Sequence, residues 1–174
     1  MKYFAGLDVS LKEISICVVD ADGKTIVRGV APADPEGVAG WFHSRTISPC
    51  RVVHESGQLS IWLQRGLERV GLPATCIDAR KAHKSLSARP NKSDASDAEG
   101  LAQLARTGWI TPVHIRQEAS DRLRCLISAR AHLINLRKDL ENHARGLLKA
   151  FGVRMTGIGT AGQRQAFRDQ LAVV

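Results

Sequence analysis

The order of apolar and polar positions in the first 30 residues predicts three closely spaced strands. Each run is rich in β-branched or aromatic side chains, as strands are. The runs cover residues 3–10, 14–20 and 25–30. Asp22 and Gly23 supply turn chemistry between the second and third. Short connections of this kind join antiparallel neighbours, so we expect a meander.

After residue 31 the pattern alternates between helix and strand. Asp34, Pro35 and Glu36 combine an N-cap, a proline at the first helical position and an acid in the first turn, so they predict a helix start. A strand at 51–54, a helix at 59–71 and a strand at 73–77 follow. Strands joined through helices pair in parallel. The expected fold is therefore α/β, with a mixed five-stranded sheet flanked by helices.

The next segment changes character twice. Residues 80–92 (RKAHKSLSARPNK) carry five positive side chains, a proline and no acid, which is typical of a loop. Apolar spacing of the helical kind then resumes at Asp94 and ends at Gly108. Pro112 marks a connector.

A long helix is predicted from about residue 120 to residue 151. Four leucines recur in it at intervals of seven, which indicates a coiled-coil-like seam: Leu126, Leu133, Leu140 and Leu147. We expect this helix to mediate a homodimer or a larger assembly through residues 120–151. The chain then divides into a domain at 1–112, a long dimerisation helix at 113–152 and a tail at 153–174.

The net charge of +8 is unevenly distributed. Residues 1–79 hold 8 Lys and Arg against 9 Asp and Glu, whereas residues 80–174 hold 17 against 8. The second half is a candidate surface for a polyanion such as DNA. An arginine-rich helix that faces solvent would give the same count, so charge alone does not separate the two interpretations.

Other features narrow the class of protein. No apolar run approaches the about 20 residues of a transmembrane helix, and the N-terminus lacks the layout of a signal peptide, so we expect a cytoplasmic protein without membrane contact. The cysteines lie far apart without C-x-x-C spacing, and we expect buried thiols rather than a zinc site or disulfides. They are Cys17, Cys50, Cys76 and Cys125.

Four acidic residues stand out by their setting. Asp8 ends a buried strand, and Glu55 directly follows the strand at 51–54. Asp94 and Asp97 are three residues apart at the start of a helix, which places them on one side of it. Each has a plain alternative explanation, because a helix N-terminus attracts acids and an acid beside a turn can simply face solvent.

Their placing beside an apolar core favours one shared site over these separate explanations. Four neighbouring carboxylates would repel one another unless they surround cations, and hard oxygen ligands suit Mg²⁺ or Mn²⁺. Two such ions form the usual clamp for attack at a phosphodiester. Five basic residues beside Asp94 would then bind nucleic acid: Arg80, Lys81, Lys84, Arg89 and Lys92.

Three motifs resemble those of one known family. They are GLDVS at 6–10, HESG at 54–57 and NKSDASDAEGLA at 91–102, followed by an arginine-rich helix. Together they resemble the Asp-Glu-Asp-Asp (DEDD) transposases of bacterial insertion sequences, whose N-terminal domain is similar to the RuvC Holliday-junction resolvase. The resemblance covers roughly residues 3–151.

The resemblance implies a ribonuclease H-like, RuvC-like catalytic domain in residues 1–112. It also implies that Asp8, Glu55, Asp94 and Asp97 form a catalytic, metal-binding tetrad, with Lys92 at the position of the family's lysine. Members of the family add a C-terminal domain with a nucleophilic serine, and a structured guide RNA directs their DNA strand exchange. We expect residues 153–174 to lead toward such a domain, which this chain would lack.

The expected function is accordingly DNA strand cleavage and exchange by a metal-dependent transposase or recombinase, inactive as this fragment alone. Two alternatives stay open. The domain could be a Holliday-junction-type endonuclease that cuts unaided, or a non-catalytic protein that binds nucleic acid or dimerises. An actin-like phosphotransferase fits poorly, because the late glycine cluster at 157–162 follows a helix rather than a strand.

Overall fold

The computed structural model describes residues 1–86, 94–154 and 160–172, without the side chains of residues 94, 95, 170 and 171. It comprises two compact units, Met1–Arg116 and Gln117–Val174. The finer division at residues 112 and 152 stays a prediction.

The first unit is built on one mixed sheet of five strands. They are β1 (Tyr3–Val9), β2 (Glu13–Val19), β3 (Thr25–Pro32), β4 (Pro49–Glu55) and β5 (Ala74–Ile77). Their order is β3-β2-β1-β4-β5. The first three pair antiparallel, whereas β4 lies parallel to both β1 and β5. The expected antiparallel meander followed by parallel strands is confirmed, and with it the mixed five-stranded sheet.

Among the described residues, four helices accompany the sheet in the first unit, and the second unit is helical. The first unit holds α1 (Pro35–His43), α2 (Ser60–Arg69), α3 (Ala79–Leu86) and α4 (Asp94–Thr107). The second holds α5 (Glu118–Leu148), a short 3-10 turn (Lys149–Phe151) and α6 (Ala161–Leu171). The Asp34 carboxylate accepts a hydrogen bond from the Gly37 N–H at 2.6 Å, which confirms it as the cap of α1. Within the described part of the chain, no helix is both long and apolar enough to cross a membrane.

The prediction of a loop from residue 80 is wrong for residues 80–86, which belong to α3. Ala82 is buried, and Leu86, four residues later, packs on the same apolar cluster, so one side of this basic segment is anchored in the core. The Asp78 carboxylate accepts from the Lys81 N–H at 2.8 Å and caps the helix start. Arg89 and Lys92 lie outside the described residues.

The two faces of the sheet pack on different helices. Ala5 and Leu7 of β1 belong to the cluster on the side of α1 and α2, together with Phe42 and Leu63. Phe4 packs on the other side, among residues of α4. Because side chains alternate along a strand, Gly6 and Asp8 face α4 as well.

Gly6 is where α4 comes closest to the sheet. A Cβ atom at this position would lie 2.2 Å from the Ala98 carbonyl oxygen and 2.3 Å from the Ala102 nitrogen. Both are backbone atoms, so they could not move aside without shifting the helix. The missing side chain therefore lets α4 lie directly on β1.

The expectation of four buried thiols is only half right. Cys17 and Cys76 are buried, and burial raises the pKa of both thiols. Cys50 and Cys125 are exposed. Cys50 lies in β4 with its side chain on a solvent-facing position, and Cys125 lies in α5, none of whose described residues is buried.

The helix α5 is long and uncovered. Its 31 residues span about 45 Å at 1.5 Å per residue. The leucines of the heptad row are exposed by 58–69% of their surface.

A first prediction tests the contact of α4 with β1. Gly6→Ala should destabilise the first unit by about 1–3 kcal/mol or more, because the added methyl group meets backbone rather than a side chain that can move. Gly40→Ala is the matched control, since a Cβ there meets nothing within 4 Å and alanine favours α1 by up to about 1 kcal/mol. Urea unfolding of both variants measures the difference, and equal stabilities would contradict the proposed close contact.

Candidate active site

Asp8 lies at the carboxyl end of the central strand β1, on the face that carries α4. It is partly exposed rather than buried, in contrast to Leu7 before it. On one side it is paired with Ser15 of β2, and on the other β1 adjoins β4. Asp8 therefore lies at the end of β1, as the sequence predicts, with a side chain that is partly exposed.

Glu55 reaches the same place from the neighbouring strand. Leu7 is level with His54 in the parallel pairing of β1 and β4, so the next residues, Asp8 and Glu55, are level too. Val53, two residues before Glu55, packs in the cluster on the side of α4. By alternation Glu55 faces that side as well. Two carboxylates thus meet at the ends of adjacent parallel strands.

The direction of α4 brings its N-terminus to this edge. Near its C-terminal end, Gln103 donates to the Gly23 carbonyl at 2.7 Å and Arg106 to the Ala21 carbonyl at 3.3 Å. That turn lies at the amino end of β1, because Val19 pairs with Phe4. The helix therefore runs antiparallel to β1, and it begins near the strand's carboxyl end.

Distances along the two elements place the aspartate pair. Ala98 packs against Gly6. Asp94 is four residues earlier, or about 6 Å along the helix. Asp8 is two residues after Gly6, or about 7 Å along the strand. Asp94 thus starts α4 level with Asp8. Asp97 is partly buried and precedes Leu101 by one turn, in a row that packs on the sheet.

A pocket of about 810 Å³ joins the first two acids. Asp8 and Glu55 line it together with the β1–β2 turn and the segment after β4, notably Ser10, Lys12 and Ser56. Asp97 does not line it. The described side chains contain no group of three or more His, Cys, Asp or Glu residues close enough to hold a metal ion. Since the Asp94 side chain is outside the described atoms, the complete tetrad stays a prediction.

The pair that is described suits a divalent cation. Mg²⁺ is usually held by one or two carboxylates together with water, and it prefers oxygen donors. Asp8 and Glu55 supply two carboxylates to a pocket that is open to solvent. The residues present therefore fit Mg²⁺ or Mn²⁺, with Asp94 and Asp97 as further candidate ligands.

The predicted basic residues fall partly beside this edge. Arg80, Lys81 and Lys84 are all exposed on α3. This helix starts close to Glu55, because the Ala79 N–H donates to the Ser56 hydroxyl at 3.2 Å. The Ser56 N–H in turn donates to the Ile77 carbonyl at 2.8 Å.

His54 is adjacent to Glu55 in sequence but faces the opposite side of the sheet, where it is fully buried. Gln64 donates to Glu68 and to the Ala74 carbonyl, both at 2.8 Å, which leaves its oxygen to accept from His54 Nε2 at 2.8 Å. Burial lowers the pKa of the imidazole, against the effect of its hydrogen bonds. His54 is thus a neutral part of the core, and Gln64 is the partner that sequence reasoning missed.

Comparison with known proteins identifies the family. The family model for DEDD transposases of the IS110 type, described as a transposase, matches residues 5–152. The chain belongs to this transposase family. The expected family is confirmed by this match, which covers both the strand-end acids and the start of α4.

A curated relative of this family is the transposase for insertion sequence element IS1111A of Coxiella burnetii (strain RSA 493 / Nine Mile phase I). It is 26% identical over 151 residues, which are 86% of this chain and 40% of the relative. The chain thus spans well under half the length of the curated transposase that it matches.

Two solved structures of Thermus thermophilus RuvC are also similar. One, in complex with a Holliday junction substrate, has a TM-score of 0.44 and 16% identity, and covers 65% of this chain and 100% of RuvC. The other has a TM-score of 0.44 and 17% identity, and covers 64% and 99%. At these values the two structures add nothing about function.

A second prediction concerns the buried histidine. Since the pKa of His54 is lower in the folded state than in the unfolded state, the unfolded chain takes up its proton first. The free energy of unfolding should be largest above about pH 6.5 and should fall as the pH is lowered from there toward the folded pKa. Denaturant titrations between about pH 5.5 and pH 8 measure this slope.

Two variants assign the slope to its residue. His54→Met removes the titrating group from the core and should flatten the curve in this range. His43→Gln changes an exposed histidine and should leave it as it is. A slope that survives in the His54→Met variant would show that another group carries it.

Proposed function

We propose that residues 1–116 are the metal-dependent catalytic domain of a DNA transposase or recombinase. Asp8, Glu55, Asp94 and Asp97 are its proposed metal ligands. The observation that carries the proposal is the meeting of Asp8 and Glu55 in one pocket at the ends of adjacent parallel strands, in a chain whose family is DEDD transposases.

The chain's own residues have separate tasks in this proposal. The strands β1 and β4 hold Asp8 and Glu55 level with each other. The helix α4, which packs on the same face of the sheet, would supply Asp94 and Asp97. A divalent cation bound there would supply Lewis-acid stabilisation of the charge that develops on a phosphodiester. The basic side chains of Arg80, Lys81 and Lys84 would hold the phosphates of the nucleic acid near that edge.

The proposed partners follow from the family and from charge. DNA is the proposed substrate, and a structured guide RNA is a second proposed partner. Arg89 and Lys92 are proposed as further nucleic-acid contacts beside the basic side chains of α3. Because the chain spans 40% of the matched transposase, strand exchange is proposed for a longer protein that contains this domain.

A third prediction tests the metal site directly. Asp8→Asn and Glu55→Gln should each weaken Mn²⁺ binding by the 174-residue chain at least tenfold. Even the loss of a residue that only hydrogen-bonds to a metal ligand lowers metal affinity by about 10–100-fold, and here a proposed ligand itself is changed. The stability of the metal-free chain should stay the same or rise, because one of two neighbouring negative charges is gone. Mn²⁺ titration followed by electron paramagnetic resonance, with urea unfolding alongside, measures both effects.

The control is Asp22→Asn, an exposed acid in the β2–β3 turn. It should bind Mn²⁺ like the wild type. Unfolding of the Asp8→Asn variant would mean that Asp8 is a structural acid, and unchanged Mn²⁺ affinity in both pocket variants would end the metal proposal. Cutting of four-way DNA by the chain alone would favour a junction endonuclease over a recombinase.

We further propose that α5 forms a dimer with the same helix of a second copy. None of the described residues of α5 is buried, yet the helix exposes a continuous leucine row that is costly to leave in water. Part of this row lines a groove of about 690 Å³ within the second unit. Its lining residues are Leu126, Ala129, Arg130, Leu133, Ile134, Arg137 and Arg164.

A fourth prediction tests this assembly. Leu133→Glu with Leu140→Glu places two charges in the row and should convert a dimer into a monomer in sedimentation. Lys138→Glu, which alters charge at an exposed position of the same helix outside the leucine row, is the control. Identical sedimentation of the wild type and the leucine variant would show that α5 does not associate through this row.

A further inference from the structure

Trp109 is a large aromatic residue that the proposed function does not use. Its side chain is 79% exposed, whereas Trp41 is buried. Isolated apolar residues on a surface are common and need no explanation. What sets Trp109 apart is the combination of a fixed backbone, a concave setting and two neighbouring cations.

The backbone on both sides of Trp109 is held in place. Before it, Gly108 ends α4 with φ at +74°, a conformation that favours glycine. After it, the chain pairs with β5: the Asp78 N–H donates to the Thr111 carbonyl at 3.0 Å, and the Val113 N–H donates to the Cys76 carbonyl at 2.9 Å. An exposed indole on an anchored segment is a preorganised contact surface.

Trp109 lines a pocket of about 230 Å³ against α3. Leu104 and Ile110 form apolar walls, and Lys81, Lys84 and Ser85 form the polar side. Lys81 and Lys84 are three residues apart and so lie on the same side of the helix. The lining residues, all of them in the described part of the chain, include two lysines and no acid.

We infer that this pocket binds one unpaired nucleotide, with the base stacked on Trp109 and its flanking phosphates held by Lys81 and Lys84. An aromatic face beside cations is the combination that single-stranded nucleic acid uses, because every base has a face to stack and every linkage has a charge to pair. A base inside a duplex is covered on both faces by its stacked neighbours, so it offers no free face to Trp109. This inference rests on the proposed function. It assigns single-stranded nucleic acid as the ligand of the basic side chains on α3.

Affinity for a single strand should depend on the tryptophan. With a fluorescein-labelled oligothymidylate, Trp109→Ala should weaken binding by the 174-residue chain at least about fivefold, the loss of one stacked base. Trp109→Phe keeps an aromatic face and should restore most of the affinity. Trp62→Ala, at the other partly exposed tryptophan, is the matched control and should bind like the wild type.

A strand without bases separates stacking from charge. The wild type should bind an abasic oligonucleotide more weakly than the oligothymidylate, and Trp109→Ala should bind the two almost equally. Lys81→Gln should act differently: it should lower the slope of log K against log salt by about 0.7, the value for one phosphate contact on a single strand. Tryptophan fluorescence provides a direct readout, since quenching by the oligonucleotide should be largely lost in Trp109→Phe.

The outcomes separate this inference from the proposed function. Wild-type binding that Trp109→Ala leaves unchanged would overturn the inference alone, as would equal losses in the Phe and Ala variants. A change in sedimentation of Trp109→Ala without a change in oligonucleotide affinity would make the pocket a protein contact and would also overturn it. Failure of the wild type to bind any single or double strand would instead count against the proposed function.

Discussion

The direct packing of α4 on Gly6 determines where the acidic residues can meet. A helix that rests on a strand through side chains lies several ångströms away, whereas here Ala98 and Ala102 approach the strand backbone. The contact also fixes the position of α4 along its axis. Only Gly6 lacks a side chain at this point of β1, so a helix shifted along the strand would clash with the side chains on either side of it. The start of α4 is thereby set level with the end of β1, although Gly6 and Ala98 are 92 positions apart in the sequence.

The strand β4 shows how one short segment serves the core and the candidate site together. His54 and Glu55 are neighbours, so the alternation of a strand sends them to opposite faces. His54 ties β4 to α2 through Gln64, a polar pair beside a largely apolar cluster. This pair is satisfied because Gln64 also donates to Glu68 and to the Ala74 carbonyl. Since a buried hydrogen-bonded pair admits few arrangements, it helps to hold the strand end that carries Glu55.

The sequence patterns predicted the sheet well, because five short apolar runs with clear turns between them leave few ways to pair. They also located Asp8 and Glu55 at strand ends, although only the register of β1 with β4 shows that the two are level. The basic segment was misjudged because its charges dominate the pattern. The spacing of Ala82 and Leu86, four residues apart, was the signal of a helix with one buried side.

Trp109 shows a different limit. Its position after a helix-ending glycine reads as an ordinary loop, and nothing in the local pattern says that β5 pairs with residues 111–113. Contacts of this kind join residues more than 30 positions apart, and periodicity does not report them. Exposure is equally invisible in the sequence, since tryptophan is more often largely buried than not.

Charge links the candidate metal site to nucleic-acid binding. A phosphate brought to Asp8 and Glu55 would be repelled by both carboxylates unless a cation lay between them, and this repulsion is strong wherever water is excluded. In the proposed function the basic side chains of α3 would not remove this repulsion, because they would hold other phosphates of the same strand. Ser56, hydrogen-bonded to both Ile77 and Ala79, joins the end of β4 to the start of α3 and so keeps the two charged regions at a fixed spacing. In the proposed function, metal and nucleic acid should therefore each raise the affinity for the other, with an equal coupling in both directions.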